Sequence, residues 1–192
     1  MKSLKITSQM NAILLDRDGV IIRKAPEGEY VTRWHDVEFL PGALDAIQLF
    51  HRNGYKLIVV TNQRGVATGK VDIENMHEIH KNIGAAVVSN GGFISAVYYC
   101  PHDYSDQCAC RKPKPGMLLR AAADHDLVLP NCWMIGDSPT DVAAGKSVGC
   151  KTALIASSVQ PRLSGESLEP DLIGDSLVLV ATQIIESRVG AA

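Results

Sequence analysis

The feature of this 192-residue sequence that most constrains its fold is a repeated alternation of short apolar runs with helical patterns. Apolar residues recur at helical spacing between the runs, as at Ala43, Ile47 and Phe50. Strands that alternate with helices predict βαβ units and a parallel sheet. We therefore expect an α/β fold with a mainly parallel sheet. The five runs that read as strands are Ala12–Leu15, 56–61, 94–99, 132–135 and 152–155.

Helix signals occupy the segments between these runs. Pro41 opens a helix that Gly54 stops, and Asp72 is placed to cap a second helix. Pro115 starts a third helix. Residues 23–35 read as a long loop rich in Pro, Gly and charge. The last two helices are expected over residues 140–147 and 178–187, separated by the fifth strand and a loose Pro/Ser/Gly segment over 156–170.

Length and composition indicate an ordinary globular protein, with one domain expected over residues 1–192. The net charge of −2 gives no general basic field for nucleic acid. Apolar runs such as AILL are too short to span a bilayer, and the N-terminus lacks an apolar stretch typical of a secretion signal. We therefore expect a cytoplasmic protein, monomeric, with no nucleic-acid or membrane partner.

Three thiols and one imidazole lie close together in the segment CPHDYSDQCAC. Cys100, His102, Cys108 and Cys110 match the Cys3His ligand set of a closed, structural zinc site. Unrelated surface residues or a disulfide are the alternatives, and the odd count of five cysteines argues against an oxidised framework. Four ligands leave no open position for catalysis, so the predicted ion is structural.

Polar side chains cluster where the predicted strands end, which is where parallel sheets collect their functional groups. LLDRDGV places Asp16 and Asp18 two residues apart at the first strand end, with Arg17 expected to point elsewhere. A basic segment typical of an anion site follows the metal ligands. The remaining candidates are Thr61 and Asn62 after the second strand, Arg111, Lys112 and Lys114 after the third, and Asp137 and Asp141 after the fourth.

These residue types suit phosphoryl transfer. Carboxylate oxygens with few other ligands favour Mg²⁺, while Lys112, the Thr61 hydroxyl and a bidentate Arg111 can hold phosphate oxygens. Asp16 would attack phosphorus and form an aspartyl-phosphate. Asp18 would protonate the departing alcohol and then take a proton from the hydrolytic water. The sequence therefore predicts a Mg²⁺-dependent phosphatase.

Four motifs in order over residues 10–156 resemble the haloacid dehalogenase superfamily. LLDRDGV resembles its first motif, VVTNQ its second, Lys112 its third and GDSPTD its fourth. The resemblance implies a Rossmann-like three-layer sandwich. It also implies Mg²⁺ bound by Asp16, by the backbone carbonyl of Asp18 and by Asp137.

A narrower resemblance rests on DRDGV, TNQ-x-G-V-A-x-G, CPH-x5-C-x-C and CRKPKPGM. Together they are similar to the zinc-containing D-glycero-D-manno-heptose 1,7-bisphosphate 7-phosphatases, whose relatives include histidinol-phosphate phosphatases. The resemblance implies release of the C7 phosphate of a phosphorylated sugar in making lipopolysaccharide or other surface glycans. It also implies that Asn62, Gln63 and Arg111 contact substrate. Ile22 departs from the family pattern, so histidinol phosphate or another small phosphomonoester remains an alternative.

No segment is left over for a lid domain between the first motif and Lys112, so a capless fold with a zinc-stapled loop is expected. A receiver-like domain that keeps a phospho-aspartate as a signal would share the Asp, Thr and Lys set. Asp18 argues against it, because a base beside the phospho-aspartate would shorten its life. A zinc-ordered binding module without turnover is the third class, and the complete set of reacting groups argues against it.

Overall fold

One parallel sheet of six strands forms the centre of this computed structural model, which describes residues 11–156 and 169–189. The strands are β1 (Ala12–Leu15), β2 (Lys56–Asn62), β3 (Ala96–Cys100), β4 (Trp133–Gly136), β5 (Lys151–Ile155) and β6 (Leu172–Gly174). Their order in the sheet is β3-β2-β1-β4-β5-β6, and every neighbouring pair is parallel. The predicted α/β class with a parallel sheet is confirmed.

Helices cover both faces of the sheet and give it three layers. The helices are α1 (Ala43–Arg52), α2 (Arg64–Ala67), α3 (Ile73–Ser89), α4 (Gly116–His125), α5 (Pro139–Ser147) and α6 (Leu177–Val189). One apolar cluster packs α1, α3 and α6 on one face, and a second packs α4 and α5 on the other. None of the helices in the described ranges is long and apolar enough to cross a membrane.

Strand β1 is buried on both sides because it lies in the middle of the sheet. Ile13 and Leu15 face the first cluster, whereas Ala12 and Leu14 face the second. The large side chains of Ile13, Leu14 and Leu15 are fully buried, which stabilises the fold by about 1.5–3 kcal/mol apiece. The chain segment that follows β1 therefore starts from a rigid support.

The segments between the strand ends contain no inserted lid domain. From Asp16 to Thr61 the chain forms a loop, a short 3-10 helix at Trp34–Asp36, α1 and β2. From Thr61 to Lys112 it forms α2, α3, β3 and a 3-10 helix at Tyr104–Asp106. All residues of this stretch are described, so the capless architecture holds for residues 16–112.

Several short elements differ from the sequence-based expectation. Strand β6 was not predicted, because it has three residues, half-exposed at both ends, and lacks an apolar alternation. Helix α2 is a single turn, too short for a periodic pattern to reveal. The third strand ends one residue later than predicted, at Cys100. The loose segment predicted over 156–170 falls mostly on residues 157–168, which lie outside the described residues. Residues 1–10 at the N-terminus also lie outside them.

Candidate active site

The carboxyl ends of three adjacent strands bring the predicted polar residues together. Asp16 follows β1, Thr61 lies near the end of β2, and Asp137 follows β4. Because β2, β1 and β4 are neighbours in the sheet, these ends meet at one edge. Lys112 reaches the same place from the loop before α4. Its ammonium lies 3.0 Å from the Asp16 carboxylate.

Three carboxylates converge at this edge. Asp16, Asp137 and Asp141 each offer one oxygen, and these oxygens all lie within 4.8 Å of one another. Asp137 Oδ1 is buried and has no hydrogen-bond partner among the described residues. An unpartnered buried carboxylate oxygen beside two others suits a hard divalent cation such as Mg²⁺. The donor set therefore fits the metal that the sequence predicts.

Two glycines leave the space that the side chains of Asp137 and Asp141 occupy in this cluster. Gly19 has a φ of 85°, and a Cβ at this position would collide with the Asp137 carboxylate. A Cβ at Gly136 would collide with the side chain of Asp141. Both positions therefore require glycine if the carboxylates are to stay together.

Lys112 is the buried counter-charge of this cluster. Its ammonium lies 2.6 Å from Asp141 Oδ1 and donates to the Val60 carbonyl at 2.7 Å. Burial works to lower the pKa of Lys112, but attraction to Asp141 and Asp16 outweighs it and raises the pKa above the ordinary lysine value. The side chain is therefore a permanent cation beside Asp16.

The positive charge of Lys112 alone does not keep the pKa of Asp16 at its ordinary value. Burial raises the pKa of Asp16 to about 7, Lys112 opposes this rise, and the repulsion of Asp141, Asp18 and Asp137 adds to it. A nucleophilic carboxylate must be ionised to attack. A divalent cation held by the same carboxylates would favour that ionised form.

Asp141 has two structural duties. Its Oδ2 accepts from the backbone N–H and the hydroxyl of Ser138, which caps helix α5. Its Oδ1 faces Lys112. Asp141 therefore orients Lys112 from a fixed helix end, while Asp137 keeps a free oxygen for a cation.

Asn62 holds the backbone of Lys112. The Asn62 amide nitrogen donates to the Lys112 carbonyl at 3.1 Å, and its oxygen accepts from the Lys112 N–H at 3.0 Å. The two residues are 50 positions apart in the sequence. Their bonds attach the loop that contains Lys112 to the end of strand β2. Direct contact of Asn62 with substrate stays a prediction.

Asn62→Ala should therefore lower kcat more than it changes KM. Loss of both bonds frees the Lys112 backbone, and a small displacement of a charged catalytic group costs on the order of 10-fold or more in rate. Steady-state kinetics on the purified variant measure the two constants. An effect confined to KM would instead mean that Asn62 acts by touching substrate.

Arg17 does not point away from Asp18, contrary to the expectation from strand alternation. Its Nε and Nη2 donate to Asp18 Oδ1 at 3.2 and 3.0 Å, and Nη2 also donates to Oδ2 at 2.9 Å. The alternation rule fails because β1 ends at Leu15, and the chain then turns with three backbone N–H groups on the Arg17 carbonyl. The buried Arg17 side chain is thus the direct partner of Asp18.

Gln63 completes the contacts of Asp18 and Thr61. Its amide nitrogen donates to Asp18 Oδ2 at 2.8 Å and to Thr61 Oγ1 at 3.0 Å, and its oxygen accepts from Arg17 at 3.0 Å. Because Thr61 Oγ1 accepts this bond, its own O–H remains available as a donor toward a phosphate. Gln63 is almost fully buried, so its observed contacts are with neighbouring side chains.

A cavity of about 520 Å³ opens above these groups. The reacting residues form its floor, and a segment from Lys24 to Val31 forms one wall. Lys24 places its ammonium 3.0 Å from Asp137 Oδ2. Arg64, Tyr104 and Arg111 form a further part of the wall. The cavity is therefore enclosed by loops, as a capless site requires.

The guanidinium groups of two arginines lie over the ring of Tyr104 in that wall. The guanidinium carbons of Arg64 and Arg111 lie 4.8 and 4.3 Å from the ring centroid. Arg64 is also ion-paired with Asp103. Arg111 Nε is buried without a hydrogen-bond partner among the described residues.

The predicted zinc ligands come together in the loop that carries Tyr104. Cys100 Sγ lies 3.5 Å from Cys108 Sγ and 3.1 Å from Cys110 Sγ, and Cys110 Sγ lies 3.2 Å from His102 Nδ1. All five cysteines are free thiols, so the disulfide alternative is not seen. The four ligand atoms lie within 4.8 Å of one another, which suits a tetrahedral ion.

Lys114 serves the metal loop rather than the anion site. Its ammonium donates to the carbonyls of Gln107 and Cys108 at 2.8 and 2.9 Å. Of the basic cluster after the metal ligands, Arg111 and Lys112 line the cavity. Lys114 instead ties down the backbone between two metal ligands.

Sequence reasoning missed three residues around the site: Arg17, Lys24 and His80. His80 lies on helix α3, and its Nε2 lies 3.0 Å from Arg17 Nη1. A signal was present, because His80 lies four residues after Met76 on α3, beside the buried apolar stripe. Its partner could not be found from sequence, since 63 residues separate the two.

Comparisons with known proteins agree with this geometry. A family model described as HAD-hydrolase-like matches residues 109–180. A D-glycero-beta-D-manno-heptose-1,7-bisphosphate 7-phosphatase of Pseudomonas putida is 34% identical over 92% of this chain and 100% of its own length. The Vibrio cholerae protein of the same name is 36% identical over 78% of this chain and 83% of its own length.

A solved structure extends the likeness to the fold. It is a D,D-heptose 1,7-bisphosphate phosphatase from B. bronchiseptica, complexed with magnesium and phosphate, with a TM-score of 0.82 and 30% identity. The match covers 93% of this chain and 99% of that chain. The chain thus belongs to the haloacid dehalogenase superfamily of phosphatases, in the family of the D-glycero-β-D-manno-heptose-1,7-bisphosphate 7-phosphatases.

Proposed function

We propose that this chain is a Mg²⁺-dependent phosphatase that releases the C7 phosphate of D-glycero-β-D-manno-heptose 1,7-bisphosphate. The observation that carries the proposal is the placement of Asp16, whose carboxylate lies 3.0 Å from the Lys112 ammonium and within 4.8 Å of carboxylate oxygens of Asp137 and Asp141. The choice of substrate is supported by the relatives that match most of the chain. The product would serve in building lipopolysaccharide or other surface glycans.

Asp16, Asp137 and the backbone carbonyl of Asp18 would hold the magnesium ion. Bound Mg²⁺ supplies positive charge that favours ionised carboxylates and orients a substrate phosphate. The unpartnered Asp137 Oδ1 supports this assignment. Asp141 stays with Lys112 and Ser138, so it acts beside the metal ligands rather than as one of them.

In the first half-reaction a carboxylate oxygen of Asp16 forms a bond to the C7 phosphorus. The bond from phosphorus to the sugar oxygen breaks, and that oxygen takes the proton of the Asp18 carboxyl group. The Lys112 ammonium and the Thr61 hydroxyl hold the phosphoryl oxygens as negative charge shifts between them. The result is an aspartyl-phosphate at Asp16, the dephosphorylated sugar and an ionised Asp18.

In the second half-reaction a water oxygen attacks the phosphorus of the aspartyl-phosphate. Asp18 accepts the water proton, the bond from phosphorus to Asp16 breaks, and inorganic phosphate leaves. Asp16 returns as a carboxylate and Asp18 as a carboxyl group. The contacts of Arg17 and Gln63 with Asp18 support this role, because they hold its carboxylate at the cavity floor.

The Cys3His cluster would hold a structural zinc ion. Its four soft ligands leave no position for a substrate, and they lie in the loop that carries Tyr104 and leads directly into Arg111. The ion would therefore stiffen the cavity wall that Tyr104 and Arg111 form. The chemistry stays with Asp16 and Asp18.

Arg111 would bind the second phosphate of the bisphosphate. Arg111→Ala should raise KM for the bisphosphate by on the order of 10-fold to 100-fold, because a charge-assisted bidentate contact contributes about 1.5–3 kcal/mol. KM for heptose 7-phosphate, which lacks the second phosphate, is the matched control and should change little. Equal losses on both substrates would assign Arg111 to the reacting phosphate or to the loop instead.

A panel of substrates tests the proposed specificity. With Mg²⁺ present, kcat/KM should be highest for the β-anomer of the heptose bisphosphate, followed by the α-anomer and other sugar phosphates. Histidinol phosphate is the second candidate, because Glu27 and Glu29 line the cavity and would suit its cationic groups. A best kcat/KM on histidinol phosphate would overturn the preference for the heptose bisphosphate while keeping the phosphatase chemistry.

A further inference from the structure

We infer that His80 is a positioning residue for the phosphatase reaction, acting through Arg17 on the Asp18 carboxylate. The inference rests on the proposed function, in which Asp18 exchanges protons with the leaving group and with water. His80 lies on helix α3, outside the strand-end motifs, and does not line the cavity. Any effect of His80 on Asp18 therefore has to pass through the Arg17 side chain, which contacts both residues.

Arg17 provides that link because each nitrogen of its guanidinium has a partner. Nε and Nη2 donate to Asp18, Nη2 donates to Gln63 as well, and Nη1 bonds to His80 Nε2 at 3.0 Å. The Arg17 side chain is 2% exposed, so water cannot replace a lost partner easily. The contacts with Asp18 and Gln63 are on the active-site side of the guanidinium, and the contact with His80 holds its opposite end.

The direction of the His80 bond follows from the chemistry of arginine. A guanidinium has donors only, so His80 Nε2 must accept and its ring proton must sit on Nδ1. The acceptor is thus required at the Nε2 position of the ring. An acceptor one atom closer to the helix would not reach Arg17 Nη1 without a shift of backbone.

Asp18 depends on this anchor for a defined orientation. Its Oδ1 accepts two bonds from Arg17, and its Oδ2 accepts one from Arg17 and one from Gln63. The carboxylate is 21% exposed toward the cavity, which leaves it room to rotate if Arg17 shifts. A rotated carboxylate loses the alignment that proton transfer needs, whereas substrate binding does not depend on it.

A pair of amide substitutions separates this role from packing. His80→Gln places an amide oxygen near the original Nε2, whereas His80→Asn places the same group near Nδ1. His77→Asn is the control, since it makes the same substitution on an exposed residue of the same helix that bonds to Tyr99. All variants are assayed with Mg²⁺ and the best substrate of the wild type, and their melting temperatures are measured.

The Asn variant at position 80 should lose on the order of 10-fold in kcat at unchanged KM, a part of what acid–base catalysis contributes. The Gln variant and the His77→Asn control should stay close to the wild type.

Other patterns overturn the inference. Equal losses in the Gln and Asn variants, a wild-type kcat in the Asn variant, or an effect on KM alone would each exclude positioning through the Nε2 acceptor. An Asn variant that fails to fold would make His80 a residue of stability instead. Absence of turnover in the wild type on the whole panel would remove the proposed function and this inference together, whereas an active wild type with insensitive variants would remove only the inference.

Discussion

Asp16→Asn is expected to lower kcat by on the order of 10⁴-fold or more, the scale seen when a covalent nucleophile is removed. The amide matches the carboxylate in shape but cannot form the aspartyl-phosphate. Lys112, Asp18 and Thr61 keep their places, so the substrate should still bind. Phosphate release over hours with the purified variant measures the residual rate.

Thermal unfolding provides the control for this variant. The pKa of Asp16 is raised by burial to about 7 in the folded protein, above its ordinary value, so its ionised form disfavours the fold. Without metal, this destabilisation grows as pH rises from the ordinary aspartate range toward 7. A neutral asparagine removes it, so the melting temperature in chelator at pH 7 should equal or exceed that of the wild type. Substantial activity in a folded Asp16→Asn protein would refute covalent catalysis by this residue.

Cys108→Ser is expected to lower the melting temperature by roughly 10 °C and to raise KM. Loss of one ligand removes several kcal/mol of metal-binding free energy, and each kcal/mol shifts the melting temperature by about 2–4 °C at this chain length. The loop carrying Tyr104 would loosen, and Arg111 with it. Differential scanning calorimetry, steady-state kinetics and zinc content per chain measure the three effects.

Cys132→Ser is the matched control for the metal site. Cys132 is a buried thiol in the apolar core and lies outside the ligand group. Its replacement can cost stability through packing but should leave one zinc ion per chain and an unchanged KM. Wild-type stability, KM and zinc content in Cys108→Ser would contradict a structural metal in this loop.

The fold was predictable from sequence because its elements obey simple periodicities. The helical spacing of Ala43, Ile47 and Phe50 corresponds to three buried side chains of α1. The fully apolar run of β1 corresponds to a central strand buried on both faces. Strand β6 was not predicted because it has three residues and little burial. Its extended conformation depends on pairing with β5 rather than on a pattern in its own sequence.

The positions of the charged groups were predictable only in part. The convergence of Asp16, Asp137 and Lys112 was predicted, because the carboxyl ends of parallel strands lie at one edge of the sheet. The orientation of Arg17 was wrong, because the two-residue alternation applies to strands and not to the turn that follows β1. The place of Lys114 in an anion site was also wrong, because its contacts with loop carbonyls depend on a backbone path that residue spacing does not specify.

The most direct test of the central claim is to trap the covalent intermediate during turnover. Wild-type protein mixed with Mg²⁺ and heptose bisphosphate is quenched in acid within milliseconds and mapped by mass spectrometry, with Asp16→Asn as the blank. We predict a phosphate on Asp16 that appears during turnover and disappears as soon as substrate is consumed. A turning-over enzyme with no phospho-Asp16, or a phospho-Asp16 that persists for minutes as in a signalling receiver, would contradict the account.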